Sequence, residues 1–593
     1  MPDRPTPPAC APFVLLDTAD GSPARLYQTP VRVIEARTSE AVGPALAEIR
    51  AATQGGLHAA GFLSYEAGTA FEPVLGGAAS DRVPLLWFGV FADWVAVDDV
   101  AAWLPDPAGA WVGAPEPTID RARYGERFAA VQALIAAGDL YQANLTYPAR
   151  VPFDGDPLAV YARVRAGAAA GYGAIVATGT HTMLSFSPEL FFARDGGRLT
   201  CRPMKGTARR GETAAGDAAA IAALQGDAKQ RAENLMIVDL MRNDLSRVAR
   251  AGSVAVPQLF AVETYPTVHQ MVSTVTANLA EGLDTTDVIA ALFPCGSITG
   301  APKIRAMQAI GDIEGSARGV YTGSIGRIDP NGDAAFNVAI RTLTIAAGGT
   351  HATFGVGSGI VADSDDDAEW DECAAKGDFL TAGTRTFDLI ETMAFDPMLG
   401  LPMLERHLER MRASAAALGF AFDRHAVRNE LQAATFRLRK ASRVRVFAAA
   451  GGGIAIEVGP MPAAFAGPAS VAVVPLPVDA RDVRLRHKTS DRDFYDAARR
   501  SAGTDEVVFV DSAGRLTEGS YTNVFATRDG MLVTPPLGAL LPGVLRAAMI
   551  DDGRAVEGVL TPDDLAGGFF IGNALRGLIP AVLAVATFTG LRV

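Results

Sequence analysis

The chain has 593 residues, 49 % of them apolar and 20 % charged, with a formal net charge of −13. That length suggests several domains and permits large buried cores, while the acidity and the lack of Lys/Arg runs with interleaved aromatics argue against a nucleic-acid partner. Four scattered cysteines (Cys10, Cys201, Cys295, Cys373) show no zinc or C-x-x-C spacing, and no apolar run approaches about 18 residues, so a reduced, cytoplasmic chain with no membrane association is expected.

In chain order, residues 1–12 read as a disordered leader. From Phe13 to about Asp120, short apolar runs alternate with Gly/Pro turns and read as strands. The period of Phe128, Val131, Leu134 and Ile135 predicts a helix over 124–137 that stops at Gly138, followed by a strand over 140–146. Ser185–Phe192 reads as a strand interrupted at Pro188-Glu189. A helical stretch runs from Asp217, its expected N-cap, to Val248, broken near Gly226. Its second part, 231–244, is apolar on most sides and is expected to be buried. Strands are predicted near 263–278, 318–328, 336–346 and 351–361, then a helix from Asp363 through Lys376. The pattern resets at about 380. A strand at 387–393, a helix at 404–418 and strands at 444–448, 454–458, 471–474, 506–510 and 523–527 follow.

Several side chains stand out chemically. Lys205, in Pro203-Met204-Lys205-Gly206-Thr207, lies beside a glycine and a small hydroxyl just past a strand, where a nucleophile or a surface charge would each fit. Glu189 is expected at the end of a neighbouring strand. Glu233, in a helix read as buried, would need a metal ion or an arginine to offset it. Glu369, Glu372 and Lys376 share one helical face, so Glu372 and Lys376 read either as a surface ion pair or as part of a site. Gly355-Val356-Gly357-Ser358-Gly359 lacks the dinucleotide-loop spacing and reads as a turn whose backbone N–H groups face an anion. Gly296–Lys303 fails the P-loop spacing but leads into a helix N-terminus suited to an anion.

Together, Ser187-Pro188-Glu189-Leu190, PMKGTARRG, RAENLMIVDLMRND, CGSITGAPKIRAM, YTGSIG, FNVAIRT and GVGSGIVADSD with EWDE resemble the chorismate-utilising enzymes, in that family's order. The resemblance implies an α+β fold over residues 13–380, with β-sheets packed against surrounding helices. Lysine at 205, where anthranilate and isochorismate synthases carry Ala, points within the family to 4-amino-4-deoxychorismate synthase component I. By the same resemblance Lys205 adds to C2 of chorismate, and Glu189 acts as general acid on the C4 hydroxyl. Glu233 and Glu372 hold Mg²⁺ on the ring carboxylate. Arg341, Thr299, Lys376 and the Gly357-Ser358-Gly359 backbone bind the substrate. Burial would supply the lowered pKa that a lysine nucleophile needs. One departure is that Gln270 stands where relatives often carry histidine, with His269 one residue early. No glutaminase segment is visible, so ammonia is expected from a separate glutamine amidotransferase subunit.

In the last third, Arg486-His487-Lys488-Thr489-Ser490, Leu516-Thr517-Glu518-Gly519-Ser520-Tyr521-Thr522-Asn523, Leu541-Pro542-Gly543-Val544-Leu545-Arg546 and Asn573-Ala574-Leu575-Arg576-Gly577 resemble the fold-type IV pyridoxal-phosphate enzymes. These include aminotransferases and aminodeoxychorismate lyase, and the resemblance implies a two-subdomain α/β fold over 386–593. It makes Lys488 the cofactor-carrying lysine and Glu518 the partner of the pyridine nitrogen. Arg410 would be a bidentate phosphate ligand, with Thr522, Val544 and Leu545 adding phosphate contacts. Such domains commonly pair, so a homodimer through this half is expected. Domain pairing favours a lyase that forms 4-aminobenzoate, with an aminotransferase as the alternative. The competing whole-chain readings are an anthranilate synthase component I fused to an aminotransferase, and a non-catalytic activator of a glutaminase.

Overall fold

The computed structural model describes residues 12–18, 22–168, 170–211, 213–264, 268–382 and 386–584. Apart from Pro12, the expected leader lies outside the described residues. The chain divides into two units. The first comprises residues 1–104, 114–152 and 161–382, and the second 105–113, 153–160 and 383–593. No described helix is long and apolar enough to cross a membrane.

The first unit is built on two large sheets. One runs in the order Gly300–Ala301, Gln142–Asp154, His351–Ile360, Thr342–Ala346, His181–Ser187, Tyr172–Ala177, Phe13–Thr18, Ala24–Gln28, Val95–Val97. The other runs Met204–Arg209, Val268–Asn278, Arg198–Arg202, Leu190–Asp195, Ala334–Asn337, Ser324–Ile328, His58–Leu63, Leu86–Phe91, Arg32–Ala36. Alternation along the second sheet sends Phe62 and Trp87 into a core shared with Val14, Val176 and Met183 of the first. Leu63, Leu86 and Phe88, one residue out of phase, join a core with the helices Ser39–Gln54, Ala228–Ser246 and Thr285–Leu292.

The segment up to residue 120, expected to be strand-rich, also contains a 16-residue helix, Ser39–Gln54, that the sequence reading did not place. Val42, Leu46 and Ile49 give it a helical stripe, which Gly43 and Pro44 disguise in sequence because both disfavour helix interiors. The long helical stretch is two helices, Ala214–Gly226 and Ala228–Ser246, capped by the Thr213 and Asp227 side chains rather than by Asp217. The second of them is not buried on most sides. Its core face is Ile237, Val238, Met241 and Leu245, whereas Ala232, Leu235 and Asp239 are exposed. Apolar content without one clean stripe misled the periodicity.

Gly355–Gly359 is not a turn. It lies inside the strand His351–Ile360, in continuous register with Gln142–Asp154 from His351↔Pro152 to Ile360↔Ala143. Its glycines answer to packing: a Cβ on Gly355 would sit 2.1 Å from the Tyr321 ring, and one on Gly357 would sit 2.5 Å from Thr146.

In the second unit, a three-stranded sheet (Leu389–Phe395, Ser442–Ala448, Ile454–Pro460) packs on the helices Leu404–Ala417 and Arg424–Thr435. A mixed eight-stranded sheet follows, with Ala469–Pro475 parallel to both Glu506–Val510 and Gly577–Leu583. The chain at Lys488–Ser490 bonds back to Asp388–Ile390, as Ile390 N–H donates to the Lys488 carbonyl at 2.8 Å and Ser490 N–H to the Asp388 carbonyl at 2.8 Å.

Gly355→Ala is expected to destabilise the first unit by about 1–3 kcal/mol, since the Tyr321 ring must be displaced. Thermal unfolding of the variant checks this, and an unchanged midpoint would contradict the packing argument.

Candidate active sites

Lys205 is aimed by a bulge. Met204 pairs with Val272 and Thr207 with Gln270, so three steps on one strand face two on the other. The extra residue falls at Lys205-Gly206, and Gly206 takes φ +99°, which only glycine adopts without strain. Asn234 braces the bulge: its Nδ2 donates to the Lys205 carbonyl at 3.4 Å, and its Oδ1 accepts from Ser273 Oγ at 2.6 Å.

The Lys205 side chain reaches Gly359, where a Cβ would stand 2.9 Å from Nζ and 2.6 Å from Gln142 Nε2. Nζ lies 3.4 Å from Glu233 Oε2, with the lysine side chain 25 % and the glutamate 18 % exposed. A lysine is thus the positive side chain beside Glu233, where the sequence suggested an arginine or a metal ion.

Glu189 sits just before the strand Leu190–Asp195, which pairs with Arg198–Arg202, three residues short of Lys205. It is buried, and Oε1 accepts from Ser297 Oγ at 2.7 Å. Burial pushes its carboxyl up to about 7, against the Ser297 hydrogen bond and the Lys205 charge, which pull it down. A carboxyl poised near neutrality suits proton transfer.

Glu372 and Lys376 form an i, i+4 ion pair of 2.7 Å, and Lys376 Nζ also donates to the Gly357 carbonyl at 2.7 Å. Burial alone would raise the Glu372 carboxyl, but Lys376, Lys205 and Lys229 hold it below the ordinary value. Past Phe354, the strand His351–Ile360 has a ladder partner only on its Gln142–Asp154 side, so its glycine edge faces Lys376.

Arg341 takes φ +50°, with its carbonyl accepting from Phe186 N–H and its guanidinium 5.8 Å from the Phe379 ring centre. Thr299 is wholly buried, its hydroxyl donating to the Cys295 carbonyl at 2.9 Å. Ser358 is buried on the strand beside Gly357 and Gly359.

Two nearby side chains have internal partners. Lys303 Nζ donates to Asp244 at 2.6 Å and to the Leu292 and Pro294 carbonyls. His269 is fully buried between Thr264 Oγ1 and Asp217 Oδ1, both at 3.0 Å, which makes it a strut beneath the bulged strand. Gln270 accepts from Thr207 Oγ1 at 2.9 Å.

The residue missed in sequence is Gln142. It is fully buried, and neither amide atom has a partner among the described residues. No local signal sets it apart, since its strand also carries Asn144, Thr146, Arg150 and Asp154.

The second unit holds a cavity of about 590 Å³ lined by Lys488, Glu518, Arg410, His407, Thr522 and Val544 among others. Burial pushes the Lys488 ammonium down to about 7, with the Arg410 charge adding to the effect. Glu518 is buried and pushed up to about 7, although Tyr495 OH donates to it at 2.6 Å and Leu541 N–H at 3.0 Å.

The Arg410 fork is closed on Glu391, with Nε and Nη2 each at 2.7 Å, and Nη1 donates to the Pro542 carbonyl. The Nε–Nη2 edge of that fork is therefore engaged by an internal carboxylate. Glu391, despite its burial, is held well below the carboxylate range by Arg410 and His407. Thr522 likewise donates its hydroxyl to the buried Glu506, which also accepts from Ser520 Oγ and from the Ser520 and Tyr521 N–H groups. Val544 and Leu545 open the helix Val544–Asp551 behind Gly543.

Glu391, His407 and Glu506 were not singled out in sequence. The spacing of His407 and Arg410, three apart on one helix, was the available signal for Glu391.

The residues fit pyridoxal phosphate. A buried lysine near neutrality and a buried acid share one cavity, and three buried nitrogens of its wall, His407 Nε2, Arg443 Nε and Arg492 Nη1, have no partner among the described residues. Glu233 stands 3.4 Å from Lys205 Nζ and the Lys205 charge also acts on Glu372, so both carboxylates lie around one lysine, and carboxylate oxygens are the donors a hard divalent cation takes. Among the described residues, the acid triad close enough to hold an ion is Asp365-Asp366-Asp367, which includes neither.

The chorismate binding enzyme family model matches residues 11–382, and the amino-transferase class IV model matches residues 388–583. Aminodeoxychorismate synthase component 1 of Salmonella typhimurium is 38 % identical over 342 residues, covering 54 % of this chain and 74 % of that protein. Aminodeoxychorismate synthase of Streptomyces griseus is 43 % identical over 285 residues, covering 47 % of this chain and 39 % of its own. The structure of anthranilate synthase component I from Streptococcus pneumoniae is similar in fold, with a TM-score of 0.53 at 24 % identity over 64 % of this chain and 94 % of that one. With the family matched across the unit that holds Lys205, Glu189, Glu233 and Glu372, and a class IV domain of the kind that implies pyridoxal phosphate across the unit that holds Lys488, this chain belongs to the chorismate binding enzymes and carries an amino-transferase class IV domain.

Proposed function

We propose that the chain is a bifunctional enzyme of 4-aminobenzoate formation. Its first unit would aminate chorismate to 4-amino-4-deoxychorismate, using ammonia from a separate glutaminase subunit. Its second unit would eliminate pyruvate from that product. The observation that carries the reading is Lys205 Nζ against the bare backbone of Gly359, beside the near-neutral carboxyl of Glu189.

In the first unit Lys205 attacks C2 of chorismate as the free amine. Glu189, in its acid form, protonates the departing C4 hydroxyl, which leaves as water. Ammonia then bonds to C4 and the C2–N bond to Lys205 breaks. Glu233 and Glu372 would hold Mg²⁺, which supplies charge for the ring carboxylate. Arg341 and the Gly357–Gly359 edge orient the substrate, with Lys376 supporting that edge through the Gly357 carbonyl.

In the second unit, pyridoxal phosphate supplies an electron sink when bound. Glu518 gives its charge to the cofactor ring nitrogen. Lys488, near neutral in its buried setting, removes the C4 proton of the substrate as pyruvate leaves and the ring becomes aromatic. The cofactor phosphate would meet the remaining Arg410 N–H groups and the backbone at Val544 and Leu545, with Thr522 holding its loop through Glu506.

Lys205→Ala is expected to abolish aminodeoxychorismate formation while leaving conversion of supplied aminodeoxychorismate intact. Product analysis with chorismate, Mg²⁺ and ammonium checks it, and wild-type synthesis would remove Lys205 as nucleophile. Ser297→Ala deletes a hydrogen bond that favours the ionised form of Glu189. The Glu189 pKa then rises, so the acid form persists to higher pH. The alkaline limb of the amination rate profile should move up by about one pH unit; a downward or absent shift would exclude Glu189 as the acid. Lys488→Ala should lose the visible absorbance of bound cofactor and accumulate aminodeoxychorismate, and unchanged 4-aminobenzoate output would rule out the lyase role.

A further inference from the structure

The cavity around Lys488 has a charge out of keeping with its chain. The protein is acidic, at −13, yet seven basic side chains and only three acidic ones line this cavity. Most of these cations are already answered. Arg410 is closed on Glu391, Arg443 and Arg445 share Glu457, and Arg499 pairs with Asp496.

Arg492 and Arg576 stand apart, because their recorded hydrogen bonds run to carbonyls rather than carboxylates. Arg492 Nη2 donates to the Ser520 carbonyl at 3.2 Å, its guanidinium lies 4.1 Å from the Tyr495 ring centre, and its buried Nη1 has no partner. Arg576 Nη1 donates to the Ala463 carbonyl at 2.7 Å, with the guanidinium 5.0 Å from the Phe465 ring centre.

Both are fixed without an ion pair to a carboxylate among the described residues, although the Arg492 charge is felt by the buried Glu518. The Arg576 turn is built around Asn573, whose Oδ1 accepts from the Leu575 and Arg576 N–H groups at 3.1 and 2.9 Å and whose Nδ2 donates to the Tyr521 carbonyl. Gly577 closes that turn at φ +70°. Preorganised guanidinium groups that face a cavity without a directly bonded carboxylate are receptors for one, which the planar fork matches.

The cofactor phosphate has its own candidates at Arg410 and at the Val544–Asp551 helix start. That leaves two cations where a simple amino acid would need one. We propose that Arg492 and Arg576 each receive a carboxylate of the same substrate, so that the cavity selects an amine bearing two carboxylates over an amino acid bearing one. This rests on the reading of the cavity as the Lys488 cofactor site, and it deepens the lyase assignment by naming what that site recognises.

The test uses the full-length, cofactor-loaded protein and two unreactive probes, isophthalate with two carboxylates and benzoate with one. Affinity is read from the change in cofactor absorbance as each is titrated. Wild type should bind isophthalate at least ten-fold more tightly than benzoate. In Arg576→Ala and Arg492→Ala that ratio should fall toward one, while cofactor titration still shows loading. Arg576→Gln, which keeps the side-chain bulk, should behave as Arg576→Ala and guards against a folding defect.

Equal affinity for the two probes in wild type overturns the proposal. So does an unchanged ratio in the variants, including the case in which they lose cofactor affinity instead, which would assign the arginines to the phosphate. If isophthalate is preferred but aminodeoxychorismate yields no 4-aminobenzoate, the lyase reading falls and this one stands. Turnover of aminodeoxychorismate with a probe ratio near one has the opposite meaning.

Discussion

The approach of the Lys205 side chain to bare backbone at Gly359 is the constraint around which the first unit is arranged. Any Cβ there would meet Lys205 Nζ and Gln142 Nε2 inside van der Waals distance. To bring Nζ that far, the strand carrying Lys205 must be bulged, Gly206 must take a positive φ, and Asn234 must hold the displaced carbonyl. His269, buried on the adjacent strand, ties that strand to Asp217 on the helix Ala214–Gly226. Each of these features has a local cost, and they make sense together as the support of one side chain.

The second unit reaches an equivalent end by buried carboxylates. Glu391 gathers Arg410 and His407, and Glu506 gathers Ser520, Tyr521 and Thr522. Neither faces outward as a ligand. Each organises the donors that line the cavity, as outer-shell groups do around a reactive centre. This also explains why Arg410 and Thr522 are not idle donors awaiting a phosphate: their side chains are already part of the wall.

How much of this was legible depended on whether a residue's role was local. The strands Ser442–Ala448 and Glu506–Val510 and the helix Asp366–Ala375 follow from period and capping, and the sequence motifs pointed to Lys205, Glu189 and Lys488. The helix Ser39–Gln54 was hidden because Gly43 and Pro44 argue against it locally, while burial of Val42, Leu46 and Ile49 decides it through tertiary packing. Gly355–Gly359 was misread because loops and close-packed strands use glycine for different reasons, and only the neighbouring Tyr321 and Thr146 tell them apart. Gln142 could not be found because an unpartnered amide is a property of its surroundings. Glu391 left only an indirect trace in the spacing of His407 and Arg410, because those partners lie 16 and 19 residues away.

The two lysines show how one residue type is set to different chemistry by what surrounds it. Lys488 is enclosed, and both burial and the Arg410 charge disfavour its ammonium form, so its environment alone prepares a base. Lys205 keeps a quarter of its side chain exposed, stands 3.4 Å from the Glu233 carboxylate and is brought to the bare backbone of Gly359 by a bulge in its own strand. One lysine is enclosed in the wall of a cavity and the other is carried out by a bulged strand to meet a carboxylate, so the two units place the same residue type in contrasting surroundings through burial in one case and backbone geometry in the other.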